Sequence, residues 1–392
     1  MGCSLVPEIK VDAVVNLAGT GKPNFPVSPT HSGGSALSTM NTYSYTSSAT
    51  EPSSPKNGAI WWDSANSKVM VYINGDFKEI TLNTDYPVDG IAWGGDRGLA
   101  AGGVTTQSSS YDDILYFNIA GSGGGSASFG DLQLFRYQGG AAGSSTRALF
   151  AGGYTPAGAR ANEIDYVTPS TIGNSTDFGN LTVGRSANSA CSNGTRALFG
   201  GGYGPSSYRD IVDYVTVDTT GNATDFGDLS GVGSGHSDGA GGDTTRAVFA
   251  GGIGSYYSVT IDYFTYATTG NATDFGDLLY SAARNMAVSD ATRTVFAGDS
   301  PSSYHTPAGR NIEYITTQTT GNGTDFGDLT NQYSMATACG NAVRGVFIGD
   351  VTTSPYTGME LITIQTTGNS SDFGDLVENR GYQGMAASGA AS

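Results

Sequence analysis

A unit of short β-runs that occurs six times predicts an all-β fold, a β-propeller, for most of this 392-residue chain. In each copy an Arg precedes an apolar run that ends in Gly, with steps of 50, 49, 50, 47 and 51 residues between copies. A Phe lies in an Asp-Phe-Gly-Asp-Leu-like turn of each copy, with steps of 49, 48, 49, 51 and 47 residues. One four-stranded propeller blade takes roughly 40–50 residues. The two series are Arg97, Arg147, Arg196, Arg246, Arg293 and Arg344, and Phe129, Phe178, Phe226, Phe275, Phe326 and Phe373.

Charge and composition limit what such a ring can do. The chain has 35 acidic and 18 basic residues, a net charge of −17, which argues against nucleic acid as a partner because phosphate binding needs a basic face. It contains no run of about 18 apolar residues, so we expect no membrane insertion. Cys3, Cys191 and Cys339 are too far apart to indicate a disulfide framework.

Composition divides the chain into three segments. Residues 1–57 end in a stretch rich in Ser, Thr and Pro, and they are predicted to form an extended N-terminal arm and linker. Residues 58–89 form a short β module, and residues 90–392 contain the repeats. All five lysines lie within the first 78 residues and all thirteen arginines lie at Arg97 or beyond. This change supports two modules of different origin.

The third copy, residues 182–229, shows how a unit is built. Small residues before Arg196 suit an inner strand, where the blades crowd the centre of the ring. The run after Arg196 is the second strand, and three glycines end it where the backbone bends. Residues 211–217 are β-branched and aromatic, as a third strand requires. The turn around Phe226 begins the outer strand.

Ring closure is predicted to involve both ends of the chain. Residues 380–390 resemble the first strand of a unit, and Phe77 precedes Arg97 by 20 residues, a spacing that the repeats also show. We therefore predict seven blades, the seventh being composite, with residues 380–390 as its inner strand. Its three outer strands would be residues 59–62, 68–73 and 76–81. The alternative is six blades plus an N-terminal β hairpin module.

Loops between the second and third strands vary in length and sequence, and variable loops on a rigid scaffold are where binding usually occurs. They carry Tyr154, Tyr203, Tyr208, Tyr256, Tyr257, Tyr304 and Tyr356. Tyrosine offers a rigid apolar face and a hydroxyl, which suits glycan or protein binding. The candidate binding-loop residues are Tyr203, Tyr208, Tyr256, Tyr257 and Tyr304. The alternative is that these rings only pack against one another.

Residues that recur in every copy are interpreted as structural. We expect the repeated arginines to pair with a nearby Asp, since Asp225, Asp274, Asp325 and Asp372 match them in number; binding of an anionic sugar is the alternative. Asn174, Asn222, Asn271, Asn322 and Asn369 each begin an Asn-x-Ser/Thr triplet. They follow Gly at the same turn, so we interpret them as turn residues that tolerate positive φ and not as glycosylation sites.

Metal, cofactor and catalytic sites are not predicted. A Gly-rich turn with two Asp supplies fewer than the ~6–8 oxygen ligands of calcium. The three histidines, His31, His236 and His305, form no copper-site pattern. Acidic residues occur in every copy, but no pair of them stands out from the repeat as glycosidases would require.

The pattern resembles the kelch repeat, which has an apolar strand ending in a Gly pair, a Tyr-bearing strand and an aromatic closing turn. Gly152-Gly153, Gly201-Gly202 and Gly251-Gly252 match the kelch Gly pair, whereas Gly298-Asp299 and Gly349-Asp350 depart from it. Phe stands where kelch repeats carry Trp. The amino-acid sequence of the repeats is also similar to that of kelch-like structural proteins of tailed bacteriophages. Residues 55–77 resemble a small β motif of phage tail-fibre and tail-associated proteins.

These resemblances imply a structural protein of the virion, tail- or capsid-associated, that displays a propeller for contact with the host surface or with another virion protein. Residues 1–57 would then anchor the chain to other virion proteins, in a homo-oligomer or in multiple copies. We expect no catalysis and no cofactor. Two alternatives stay open: a depolymerase that cleaves host polysaccharide, and a cellular kelch-type adaptor.

Overall fold

The computed structural model describes residues 45–48, 50, 53, 60–63, 68–73, 76–79, 95–106, 109–230, 239–253, 257–283, 285–298, 309–333, 336–349, 357–377 and 385–389. Its secondary structure over these ranges is β-strand and turn, and no helix in them is long and apolar enough to cross a membrane. The chain forms two compact units, Met1–Asn83 and Thr84–Ser392.

The N-terminal unit contains one four-stranded sheet. Its strands are β1 (Tyr45–Ser48), β2 (Ile60–Asp63), β3 (Lys68–Ile73) and β4 (Asp76–Glu79). Strands β2, β3 and β4 are antiparallel neighbours, and β1 pairs with β2 in parallel. Phe77 is buried and its ring meets Tyr72 edge-on at 5.1 Å. Strand β1 lies inside the stretch predicted as an extended arm.

The C-terminal unit is a six-bladed β-propeller, and each blade is a four-stranded antiparallel sheet. Blade 1 contains β5 (Arg97–Ala101), β8 (Asp113–Asn118) and β9 (Ala127–Asp131), and β6 (Val104–Thr106) pairs with β7 (Ser109–Ser110) in its loop. Blade 2 contains β10 (Gly140–Gly143), β11 (Ala148–Ala151), β12 (Glu163–Val167) and β13 (Thr176–Asn180). Blade 3 contains β14 (Ser189–Ser192), β15 (Arg196–Gly200), β16 (Ile211–Thr216) and β17 (Thr224–Asp228).

The remaining blades follow the same order. Blade 4 contains β18 (Gly239–Gly242), β19 (Arg246–Ala250), β20 (Ser258–Thr265) and β21 (Thr273–Ala282). Blade 5 contains β22 (Met286–Ser289), β23 (Arg293–Ala297), β24 (Asn311–Thr316) and β25 (Thr324–Asp328). Blade 6 contains β26 (Thr337–Gly340), β27 (Arg344–Ile348), β28 (Gly358–Thr363) and β29 (Ser371–Asp375). The strand β30 (Met385–Gly389) is the inner strand of blade 1.

Ring closure differs from the predicted seventh, composite blade. Strand β30 pairs with β5, and Ala387 lies opposite Leu99. The N-terminal β-runs pair among themselves and leave no sheet for residues 380–390 to join. The prediction of seven blades was wrong because the first copy begins at its second strand and itself needs the C-terminal strand. The six-bladed alternative fits the structure.

The core lies between the blades. Six clusters of buried side chains, one at each junction, each combine residues from two neighbouring blades. The repeated Phe of the outer strand belongs to these clusters; Phe226, for example, is 2% exposed and meets Tyr214 edge-on at 5.5 Å. Burying a side chain of this size stabilises the fold by roughly 1.5–3 kcal/mol. Each blade therefore depends on both neighbours, and the ring is held by junctions.

Glycine is required where outer strands meet the next blade. Gly227 has φ +151°, and a Cβ there would lie 2.2 Å from the carbonyl oxygen of Gly270 in blade 4. The amide of Gly270 donates to the carbonyl of Phe226 at 2.8 Å. A side chain at Gly227 would force the two backbones apart. The repeated Phe-Gly thus lets the outer edge of one blade pair with a turn of the next, which covers the exposed strand edge.

Candidate functional site

The two faces of the propeller are made by different connections. We call the loop face the side formed by the links from second to third strand and from outer strand to the next inner strand. We call the turn face the opposite side, formed by the short turns from inner to second strand and from third to outer strand. Of the predicted binding tyrosines, the described ones, Tyr203, Tyr208 and Tyr257, lie on the loop face, and the repeated arginines lie on the turn face.

A continuous series of side chains crosses the loop face from the link between blades 1 and 2 to the loop of blade 3. This tyrosine–arginine row consists of Tyr137, Tyr154, Arg160, Tyr203 and Tyr208. The rings of Tyr137 and Tyr154 meet edge-on at 5.5 Å, and those of Tyr203 and Tyr208 at 5.0 Å. The guanidinium of Arg160 lies between the two pairs, 5.4 Å from the ring of Tyr154 and 4.5 Å from that of Tyr203. All five side chains are partly exposed.

The backbone holds the row in register. Tyr154 bridges to both Tyr137 and Arg160, and Tyr203 bridges to Tyr208 and to Ser186. The amide of Tyr154 donates to the carbonyl of Tyr137 at 2.7 Å, and Tyr137 donates back at 3.2 Å. Burial raises the pKa of the Tyr137 hydroxyl, with a smaller contribution from Tyr154. The rings are thus fixed to a paired backbone and are not free side chains on a loose loop.

Buried ion pairs support the loops that carry the row. Arg136 and Asp165 form one at 2.9 Å, and Arg185 and Asp213 form the equivalent pair in the next blade at 3.0 Å. Each of these arginines also donates to a second-strand carbonyl, at 3.0 Å to Phe150 and at 2.9 Å to Phe199. Burial lowers the pKa of both arginines and raises that of Asp165, while the opposite charge of the partner counteracts each shift.

The same acidic position recurs in five third strands, and its partners differ from blade to blade. The five residues are Asp165, Asp213, Asp262, Glu313 and Glu360, all at most 6% exposed. Asp262 accepts hydrogen bonds from the amide and hydroxyl of Ser230, and Glu360 accepts from Thr330, Asn331 and Ser370.

Glu313 accepts a hydrogen bond from the amide of Leu279 at 2.7 Å, and burial raises its pKa to about 7. Leu279 occupies the place that Ser230 and Thr330 take at other junctions, but it has no hydroxyl to donate. Sequence reasoning missed this series, although an acid directly before the third-strand Tyr or Leu in five copies was a readable signal.

The repeated arginines connect neighbouring blades on the turn face. Arg246 lies 4.5 Å from the ring of Tyr263 in its own blade and donates to the carbonyl of Thr317 in the next, at 3.2 Å. The equivalent donors and acceptors are Arg97 to Pro169, Arg147 to Val217, Arg196 to Tyr266, Arg293 to Ile364, and Arg344 to Ile119, which closes the ring.

The expected Asp partner was therefore wrong. Among the described residues, Arg147, Arg196, Arg246, Arg293 and Arg344 make no ion pair with an Asp, whereas Arg136 and Arg185 on the loop face do. Asp225, Asp274, Asp325 and Asp372 lie in the outer strands, on the far side of the third strand.

The Asn-x-Ser/Thr asparagines also connect blades. The side-chain oxygen of Asn222 accepts a hydrogen bond from the amide of Asn180 in the preceding blade at 3.1 Å. Asn174, Asn271, Asn322 and Asn369 accept equivalent bonds from Asp131, Asp228, Asp277 and Asp328. A structural role is thus present, but the expected reason was wrong, because none of these asparagines has a positive φ; in four of the five turns the preceding glycine has it.

The other predicted residues are distributed as follows. Tyr257 bridges to Ile253 in blade 4, at the position that Tyr208 takes in blade 3. Tyr256, Tyr304, Tyr356, the three histidines and Cys3 lie outside the described residues. Burial raises the pKa of the Cys191 and Cys339 thiols to about 12, so both are unreactive core residues.

Three carboxylates meet on the loop face of blade 1. Asp112, Asp113 and Asp131 can place one oxygen each within 4.8 Å of the others. Calcium takes ~6–8 oxygen ligands, so these three side chains do not make a complete site.

Comparison with known proteins does not assign the chain to a family. No protein-family model and no curated protein matches this chain.

Proposed function

We propose that this chain is a virion structural protein of a tailed bacteriophage, tail- or capsid-associated, that binds a partner through the loop face of its propeller. The partner is a host-surface molecule or another virion protein. The chain has no catalytic role, and residues 1–57 attach it to the particle. The likeness of its repeats to kelch-like phage proteins, and of residues 55–77 to a tail-protein motif, supports the virion location.

The observation that carries a binding role is the tyrosine–arginine row. It joins loops of blade 2 and blade 3 through Arg160, and Tyr154 and Tyr203 contribute partly exposed rings on either side. Rigid aromatic residues with a central cation form contacts at a low cost in conformational entropy. The buried ion pairs beneath the loops fix the conformation of the row in the unbound protein, and such preorganisation favours affinity.

Binding fits better than cleavage because the buried carboxylates of the third strands are engaged by protein donors. Asp165 and Asp213 pair with arginines, and Asp262 and Glu360 accept hydroxyl and amide donors. A glycosidase needs two carboxyl groups placed on either side of a substrate bond. Carboxylates that accept hydrogen bonds at the junctions between blades are not placed to cleave a glycosidic bond.

Adsorption measurements test the role of the loop face. A phage that carries Tyr203→Ala and Tyr208→Ala together should adsorb to its host more slowly, with the thermal stability of the purified protein nearly unchanged. The matched control is Tyr280→Ala, which alters a tyrosine of blade 4 that is 42% exposed and outside the row. Normal adsorption by the double variant, with folding intact, would contradict a host-binding role and leave only contact with virion proteins.

Mass spectrometry of purified virions tests the location, and absence of the chain from particles would refute it in favour of the cellular adaptor. Incubation of the purified full chain with host surface polysaccharide tests the depolymerase alternative. Release of short saccharides would contradict a binding-only role.

A further inference from the structure

Two arginines of the loop face, Arg160 and Arg209, have no charged partner among the described residues. Within the described part of the chain, the side chains of Arg160 and Arg209 make no ion pair and no hydrogen bond, and the Nε of each is buried. The guanidinium of Arg160 lies over the rings of Tyr154 and Tyr203, on either side of it. Arg209 follows Tyr208 directly, and its backbone amide donates to the carbonyl of Gly202 at 2.9 Å, at the base of the same loop.

Such arginines are unusual in so acidic a unit. Residues 90–392 have 13 Arg against 27 acidic residues, a net charge of −14. The turn-face arginines donate hydrogen bonds to carbonyls of the next blade, and Arg136 and Arg185 form ion pairs with buried aspartates. Among the described residues, no acidic side chain pairs with the guanidinium groups of Arg160 and Arg209.

The geometry points to an anionic saccharide as the ligand of the row, an inference that rests on the proposed function. An acidic group of the saccharide pairs with Arg160, because a guanidinium offers a planar fork of donors that matches carboxylate and phosphate oxygens. The apolar faces of its sugar rings pack against Tyr154 and Tyr203, whose rings are partly exposed beside Arg160. Arg209 adds a second positive charge at the blade 3 end.

A saccharide fits this surface better than an acidic peptide. Peptides often bind by adding a strand to unpaired backbone groups at a sheet edge. At the row, the backbone of Tyr154 is bridged on both sides, by Tyr137 and by Arg160, and Tyr203 is bridged by Ser186 and Tyr208. The surface thus offers side-chain faces and guanidinium groups, which sugars with acidic groups can use, and little free backbone.

Binding of defined polymers by the full chain tests this assignment. We expect binding to polygalacturonate, to a glycerol-phosphate teichoic acid, or to both, which distinguishes carboxylate from phosphate as the acidic group. We expect binding to be weaker at 500 mM than at 50 mM salt, in line with an ion pair. Arg160→Ala should raise the dissociation constant at least about tenfold, a change equal to about 1.4 kcal/mol, and Arg209→Ala should raise it by a smaller factor.

The matched control is Val343→Asp, which makes the same change in net charge on the turn face, at a residue that is 60% exposed. It should leave the dissociation constant unchanged. Equal weakening by the control would mean that overall charge and not the row governs binding, and would overturn the assignment.

Three further outcomes would overturn it: no binding to either anionic polymer, equal binding to dextran, or equal binding to polyglutamate. These outcomes are separable from failure of the proposed function. If the Tyr203/Tyr208 variant still loses adsorption while anionic polymers do not bind, the loop face binds its partner but the partner is not an acidic sugar.

Discussion

The turn face and the loop face of the propeller are made from the same repeat, yet they use their arginines differently. On the turn face, six arginines at equivalent positions donate to carbonyls of the next blade. On the loop face, the described arginines have different roles. Arg136 and Arg185 are buried in ion pairs, and Arg310 donates to the carbonyl of Leu329 at 2.9 Å. Arg160 and Arg209 have no acidic partner among the described residues.

This difference shows how function can be sought in a repeat protein. Contacts that recur around the ring, such as the bond from Arg246 to Thr317 and the bond from Asn180 to Asn222, hold the blades together. Contacts that occur at one place only, such as Arg160 between Tyr154 and Tyr203, are not needed by the other junctions. Departures from the repeat on the loop face are therefore the better candidates for binding.

Removing the closing strand should give the largest effect on the scaffold. A chain that ends before Met385 loses the inner strand of blade 1, and Met385, Ala386 and Ala387 are all at most 7% exposed. Truncating one buried Met to Ala costs roughly 2–5 kcal/mol, so loss of the whole strand must cost more. We expect loss of cooperative unfolding in urea, whereas a chain that ends at Gly389 should unfold as the full chain does. Normal unfolding of the shorter chain would refute closure by β30.

Glu313 should give its loop-face junction a pH dependence near neutrality. Burial raises its folded pKa to about 7, above the unfolded value of about 4.3. The folded state then binds more protons between these values, so the free energy of unfolding should fall as pH rises from about 5 to about 7.

Glu313→Gln keeps an acceptor for the amide of Leu279 and cannot ionise, so it should remove part of this fall. Urea unfolding of both proteins at several pH values measures how their free energy of unfolding depends on pH. An identical pH profile for the two proteins would show that Glu313 does not titrate in this range.

A smaller effect is expected for one turn-face hydrogen bond. Asn222→Ala removes the acceptor for the amide of Asn180, and a bond of this kind contributes roughly 0.5–1.5 kcal/mol. Asn222→Asp keeps an acceptor oxygen and should retain most of that stability. If both variants unfold like the original protein, the asparagine bond is not a significant part of the junction.

The sequence predicted the repeat well and the closure poorly. The six Arg and Phe positions correctly marked second and outer strands, because strand position in a blade fixes residue type. Blade number was wrong because β30 pairs with residues almost 290 positions earlier, and local patterns contain no information about such a partner. The role of the repeated Arg could not be derived either, since its acceptor is a backbone carbonyl about 70 residues away in the next blade.

The candidate site was predicted in part. Tyr203 and Tyr208 were named as binding-loop residues and the structure places both in the row. Tyr137 and Arg160 were not singled out, because their proximity to these tyrosines arises only when neighbouring blades are assembled. Arg160 has the same bridge position in its loop as Tyr208 has in the next, so an alignment of loops by their bridges would have shown it.

The most direct test compares two arginines of similar burial on opposite faces. Arg246→Ala removes a charged hydrogen bond to the carbonyl of Thr317 and a contact with the ring of Tyr263. Arg209→Ala makes the same change in charge without removing a hydrogen bond or an ion pair to a described residue. The free energy of unfolding in urea should fall by roughly 2–4 kcal/mol for Arg246→Ala and by less than about 0.5 kcal/mol for Arg209→Ala. Equal losses, or a larger loss for Arg209→Ala, would contradict the assignment of Arg246 to the scaffold and of Arg209 to a ligand.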